Sequence, residues 1–329
     1  MNKIERIDAV IANRQPDRVP LSFWHHFAPD EAAGPAAVAA HLRLVAAYDV
    51  DFLKVMDDNR YPRFQLPTGV VRDAADLERL VPLRGEEDSF GRQLELLGEL
   101  EKRLGDSLYK PTTVFNAWTT LRNLLAPDTG VHGPPVLGQT GDRRDEQLGR
   151  FVREAPAALV RALAAITEST ARFVGHCLDA GADGIYLSVR DDWVEAHGRG
   201  LYDKLVRDSD RIILDAAARG RFNILHVCGT AVDFDRFAHY PAQALSWADR
   251  SAGPSIAEAA PRVKAAICAG LDNLGTLKTG TPDQCVAQAR DALRQAGPRP
   301  MILAPGCTFD PGQVPKENLF ALRQAVDSL

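Results

Sequence analysis

The sequence predicts a single (β/α)8 barrel, and three observations carry that reading. Short aliphatic or β-branched runs alternate with longer amphipathic segments from near residue 19 to the end of the chain. Eight such strand candidates can be counted, the number that closes a parallel sheet on itself. The chain of 329 residues, with 45% hydrophobic and 25% charged residues, is long enough for one large barrel and has the balance of a globular protein.

The strand candidates, in order, are Val19–Trp24, Phe52–Met56, Tyr109–Phe115, Gly184–Val189, Phe222–Cys228, Ala244–Trp247, Leu274–Leu277 and Met301–Ala304. Amphipathic stretches between them read as helices at Glu146–Ala180, Tyr202–Ala218, Ile256–Ala269 and Pro282–Gln295. A last helix opens at Pro315, with proline in the favoured first turn, and runs to about Val326. Residues 61–110 are polar, rich in Arg, Glu and Asp, and fit the alternation less well. They read as a less regular insertion within one domain spanning 1–329. The stretch 126–142 holds four glycines and three prolines, so a loop is expected there, either a lid over the barrel mouth or a plain surface loop.

The formal net charge of −5 is mild and scattered, which argues against a nucleic-acid partner. No long apolar core follows the first residues, as a signal peptide would need. The apolar stretch 36–47 is broken by His41 and Arg43, so no membrane span is expected. Five cysteines in a chain this size do not make a disulfide framework. The expected location is the cytoplasm, where thiols stay reduced and can bind metal.

Three residues carry the most chemical information. His226 and Cys228 close the fifth strand, and side chains at i and i+2 of a strand share a side. Cys307 follows the eighth strand after Pro305 and Gly306. One imidazole and two thiolates suit zinc and leave a fourth position open for water or substrate. Buried cysteines are also common as inert small hydrophobes, which is the competing reading. Strands five and eight are not neighbours, so convergence is itself a prediction: the three ligand atoms should lie within roughly 4 Å of one another, and separations beyond about 6 Å would rule zinc out.

Other residues at strand ends are candidates for supporting roles. His25 and His26 follow the first strand and could exchange protons near neutral pH. Asp249, just after the sixth strand, is the preferred carboxylate; Asp57, Asp58, Asp191 and Asp192 are alternatives. Trp24, Asn116, Tyr186 and Trp247 could shape a substrate pocket or simply belong to the core, as could Trp118. Cys177, Cys268 and Cys285 are expected in helices of the outer layer, away from any ligand set.

Several of these segments resemble the uroporphyrinogen decarboxylase superfamily. They are Asp17-Arg18-Val19-Pro20, Gly270-Leu271-Asp272-Asn273-Leu274 with Gly280-Thr281-Pro282, and Leu303-Ala304-Pro305-Gly306-Cys307 with Pro315-Lys316-Glu317-Asn318. Within that superfamily the chain looks like the cobalamin-dependent methyltransferase branch, whose members carry a His-x-Cys and a much later Cys, all binding zinc; His226, Cys228 and Cys307 match that pattern. True decarboxylases of the family carry an arginine-rich run after the first strand, whereas Ser22-Phe23-Trp24-His25-His26-Phe27 contains no arginine. A polycarboxylated substrate needs such arginines.

The resemblance implies methyl transfer between a small molecule, either a thiol acceptor or a methylated donor, and the cobalt of a corrinoid. Zinc would lower the pKa of the thiol or act as Lewis acid on the donor. No Asp-x-His-x-x-Gly motif occurs, so the corrinoid would arrive on a separate protein. The alternatives are a lyase of the same family, a zinc-dependent reaction without corrinoid, and a non-enzymatic zinc barrel. Barrels of this type often pair, so a homodimer is allowed.

Overall fold

The computed structural model describes residues 1–125, 143–190, 199–229 and 232–329. The expected lid at 126–142 and the alternatives Asp191 and Asp192 lie outside the described residues. Six parallel strands form one sheet in sequence order: β1 Pro111–Phe115, β2 Gly184–Arg190, β3 Ile224–Cys228, β4 Ala244–Trp247, β5 Ala266–Leu271 and β6 Met301–Pro305. Every neighbour in the chain is a neighbour in the sheet, as right-handed crossovers through helices produce. Two extended segments near Leu21 and Phe52 bridge the edges and supply the remaining staves. Leu303 donates its amide to Pro20 O (2.9 Å), Asp51 to Leu21 O (2.8 Å), and Leu53 to Tyr109 O (2.8 Å). These bonds link β6 to the first segment, the first to the second, and the second to β1, so the barrel closes without a free edge.

Burial follows from closure. Strands covered by side chains within and helices without should be apolar on both faces, and β3, β4, β5 and β6 are buried at every position. The helices begin where their sequences cap them. Asn2 with Glu5, Ser255 with Glu258 and Thr281 with Gln284 each form a reciprocal capping box. The expected long helix at 146–180 is broken at Pro156 into Arg143–Glu154 and Pro156–Asp179, since proline fits a first turn and not a helix interior. Residues 61–110 contain two helices, Ala74–Glu78 and Ser89–Leu104. No helix among the described residues is long and apolar enough to cross a membrane.

One pair of expected elements is corrected. The seventh stave is β5, Ala266–Leu271, and not Leu274–Leu277, which enters the short helix Thr276–Thr279. The helix expected over 256–269 ends at Ala259. A run of Ala, Ile, Cys and Gly is short, small and apolar, and periodicity alone does not separate a buried strand from a helix there. The correction moves Cys268 from an outer helix to the barrel wall, where it pairs with Ser246 of β4.

Candidate metal centre

His226, Cys228 and Cys307 come together at the C-terminal mouth of the barrel, with one donor atom from each within 4.8 Å of the others. That is looser than the separation expected from sequence and well inside its outer limit. His226 and Cys228 stand two apart on β3 and share its inner face. Cys307 reaches them from across two intervening strands because the chain turns inward after β6. Gly306 makes that turn feasible: it donates its amide to Leu271 O (2.9 Å), and a Cβ at this position would lie 2.7 Å from the Ala248 Cα. Only glycine passes so close to the β4 loop.

The imidazole is oriented for ligation. His226 Nδ1 lies 3.2 Å from Ser246 Oγ, while its Nε2 is buried and bonds nothing among the described residues. A proton on Nδ1, shared with serine, leaves a bare lone pair on Nε2, the arrangement that metal-bound histidines adopt. The Cys307 thiol is held well below its ordinary pKa by hydrogen bonding with Cys228, against the opposing effect of burial, and further by His226 and Lys54. Thiolate is the form that binds metal. A borderline-soft N/S/S donor set, a buried unpartnered imidazole nitrogen and a thiol already inclined to ionise fit zinc, which at bond lengths of about 2.0–2.3 Å would draw the donors closer together.

The other candidates divide between the barrel mouth and the framework. Trp24 is fully buried beside Tyr186 (ring centroids 5.5 Å apart), and Tyr186 stacks on His226 (5.2 Å, 27° between planes). Tyr186 therefore neighbours the His226, Cys228 and Cys307 cluster, and Trp24 packs against Tyr186. His26 Nδ1 is 2.6 Å from Asp58 Oδ1, and Asp58 also accepts the Phe27 amide at 3.2 Å, so this carboxylate orients the imidazole. His25, its pKa lowered by burial, sets Nδ1 2.8 Å from His26 O and packs between Phe27 and Phe309. Asp57 accepts the amides of Asn59 and Arg60, and burial pushes it up to about 7.

Three candidates are engaged in the framework. Asp249 accepts the Gly270 amide at 2.9 Å and approaches Arg250 Nε at 3.0 Å; burial raises it to about 6. Asn116 caps the helix Ala117–Leu124 through Thr119 N and donates to Asp210 Oδ1 at 2.9 Å. Trp247 takes the opposite face of β4 from Ser246, donating to Pro254 O at 2.7 Å and packing edge-on against Phe234.

Two residues near the site had no place in the sequence reading. Ser246, the imidazole's partner, is a small polar residue in an otherwise apolar strand. Lys54 is buried within the barrel, its Nζ 3.8 Å from the Tyr186 ring centroid and 5.3 Å from that of Trp24. Burial lowers the ammonium to about 8, opposed chiefly by the negative charge of Cys307. The signal was legible: Lys54 interrupts the apolar run Phe52-Leu53-Lys54-Val55-Met56.

Among solved structures, a methyltransferase from Methanosarcina mazei superposes with a TM-score of 0.70 at 17% identity, over 99% of this chain and 98% of that one, which shows the shared fold. A B12-independent methionine synthase from Shewanella sp. W3-18-1 matches at a TM-score of 0.44 and 13% identity, over 71% of this chain and 66% of that one. No protein of curated function matches in sequence. The model of the uroporphyrinogen decarboxylase (URO-D) family matches residues 135–329, the part of the barrel that contains β2 to β6 and all three converging donors. The chain belongs to the uroporphyrinogen decarboxylase family.

Proposed function

We propose that this chain is a zinc-dependent methyltransferase that moves a methyl group between a small thiol or methylated donor and the cobalt of a separate corrinoid protein. The observation that carries the reading is that one donor atom from each of His226, Cys228 and Cys307 lies within 4.8 Å of the others at the barrel mouth. Support also comes from the fold shared with the Methanosarcina mazei methyltransferase. Decarboxylation of a polycarboxylated tetrapyrrole is disfavoured because residues 22–27, after the first stave, contain no arginine.

Zinc held by these three residues would supply Lewis acidity at its open fourth position. The chain's own groups do the rest. Ser246 fixes the imidazole tautomer, and Cys228 and Cys307 serve as the two anionic ligands. Tyr186 and Trp24 wall the approach with aromatic surface. His26, oriented by Asp58, is assigned the proton that a thiol loses on binding. The test is anaerobic demethylation of methylcobalamin, followed by its visible spectrum, with a panel of small thiols. Zinc-dependent loss of the methylcobalamin spectrum is expected. Demethylation at equal rates without zinc would refute the mechanism. No reaction with methylcobalamin or methylated donors would leave zinc chemistry without corrinoid as the better reading.

The role of Ser246 gives a prediction of its own. Ser246→Ala should weaken metal binding by about 10- to 100-fold, the usual cost of losing the outer partner of a ligating histidine. Competition with a chromogenic chelator would measure it. Unchanged affinity would mean the serine does not set the tautomer.

A further inference from the structure

Cys307 is the one cysteine of five that is not buried. Cys228 is 6% exposed, and Cys177, Cys268 and Cys285 are fully buried. An oxidant in solution therefore meets one thiol first, because thiol oxidation follows access as well as nucleophilicity. A second thiol is already in reach. Cys228 and Cys307 are hydrogen-bonded to each other, and their sulfurs lie no more than 4.8 Å apart.

A disulfide needs its sulfurs about 2.05 Å apart, so the pair must close by less than about 3 Å. The backbone on either side of Cys307 is fixed. Gly306 donates its amide to Leu271 O (2.9 Å), and Thr308 O accepts from Asn273 Nδ2 (3.0 Å). The side chain is held less firmly, its sulfur resting 3.8 Å from Thr308 Oγ1. Rotation about χ1 carries the sulfur between staggered positions without moving a strand. A metal ion held by both thiolates occupies the electron pairs that such a bond would use, so ion and disulfide exclude each other. That exclusion rests on the metal-centre reading; the cross-link does not.

We infer that Cys228 and Cys307 form a reversible disulfide that empties the metal centre when the protein meets a low-molecular-weight disulfide, RSSR. The Cys307 thiolate attacks one sulfur of RSSR, whose S–S bond breaks to release RS⁻ and leave a mixed disulfide. The Cys228 thiolate then attacks the Cys307 sulfur and expels the second RS⁻. The protons of the two protein thiols pass to the two leaving thiolates. The protein is oxidised by two electrons, and RSSR is reduced to two RSH. His226 is then left without either anionic ligand, too few donors to hold zinc. Excess thiol reverses both steps.

The experiment treats the full chain, metal-free and zinc-loaded, with oxidised glutathione in the absence of oxygen. Intact mass and a protease map are read after acid quenching, with circular dichroism to confirm that each variant is folded. Metal-free wild type is expected to lose two hydrogen atoms, carry no glutathione, and yield a peptide pair joined through Cys228 and Cys307. Cys228→Ser should stop with one glutathione on Cys307. Cys307→Ser should react at least about tenfold more slowly, since its remaining thiols are buried. Bound zinc should slow oxidation of wild type by at least about tenfold, and dithiothreitol should restore both thiols and zinc uptake. Glutathione that stays on wild-type Cys307, a bond from Cys307 to Cys268, or Cys307→Ser reacting as fast as wild type would overturn the inference. Zinc content is measured on each sample beforehand. A wild type that never takes up zinc overturns the metal centre, and the metal-free arm still decides the disulfide. A wild type that takes up zinc yet oxidises just as fast overturns the switch.

Discussion

Replacing Cys307 or Cys228 by serine is expected to empty the metal centre. Wild type purified without oxygen should carry about one zinc per chain, and each variant little, with affinity falling by more than about 100-fold, beyond what loss of an outer partner costs. Two donors remain in each variant, but a serine hydroxyl is a poor ligand for zinc beside thiolate. The barrel should stay folded, because neither sulfur holds strands together: Cys307 lies past the end of β6, and Cys228 is the last residue of β3. Cys268→Ser is the control. That cysteine is fully buried on β5, yet its sulfur is not among the converging donors, so metal should be retained. Elemental mass spectrometry with circular dichroism reads both quantities. Stoichiometric zinc in Cys307→Ser would show that the observed cluster is not the binding site.

The donors were legible in sequence because the two periodicities involved are rigid. A His-x-Cys at a strand end must present both side chains on one face, and a Pro-Gly before Cys307 marks a turn. What could not be read was how that turn crosses β4 and β5, which depends on Gly306 passing so close to Ala248 that an added Cβ would lie 2.7 Å from its Cα. Lys54 and Ser246 were overlooked for another reason. Each is one polar residue within an apolar strand, and their significance comes from neighbours on other strands: His226 for Ser246, Tyr186 and Trp24 for Lys54. Local pattern does not encode partners so distant along the chain.

Strand content was readable where large apolar side chains recur in a short run, as in Phe222–Cys228 and Ala244–Trp247, and failed at β5, where Ala, Cys and Gly predominate. Cys268 shows the consequence. Assigned to a helix, it lay on the outside; in the strand it faces a pairing with Ser246 and lies close enough to Lys54 for the cation to oppose the rise in its pKa that burial causes.

Asp17-Arg18-Val19-Pro20, a motif noticed for its resemblance, proves to fasten the barrel. Asp51 is fully buried and accepts from Arg6 Nη1 (2.6 Å), Arg18 Nη1 (2.8 Å) and the Leu21 amide (2.8 Å). It thereby ties the first helix and the first stave to the start of the second, where the sheet closes through single bridges rather than a full ladder. Asp51→Ala would leave two guanidinium groups and a backbone amide facing an emptied pocket. Removing one partner of a buried ion pair typically costs about 3–5 kcal/mol. Arg6 keeps Asp17 and Arg18 keeps Asp327, which favours the lower end. A loss of about 3 kcal/mol should lower the melting temperature by several degrees, on the order of 5 °C for a chain this long. Arg18→Ala should cost less, because Arg6 still neutralises the carboxylate. Urea unfolding of the two variants beside wild type measures both. A cost below about 1 kcal/mol for Asp51→Ala would place it in the range of exposed ion pairs, and closure of the barrel would then have to rest on the apolar packing around Leu21 and Phe52.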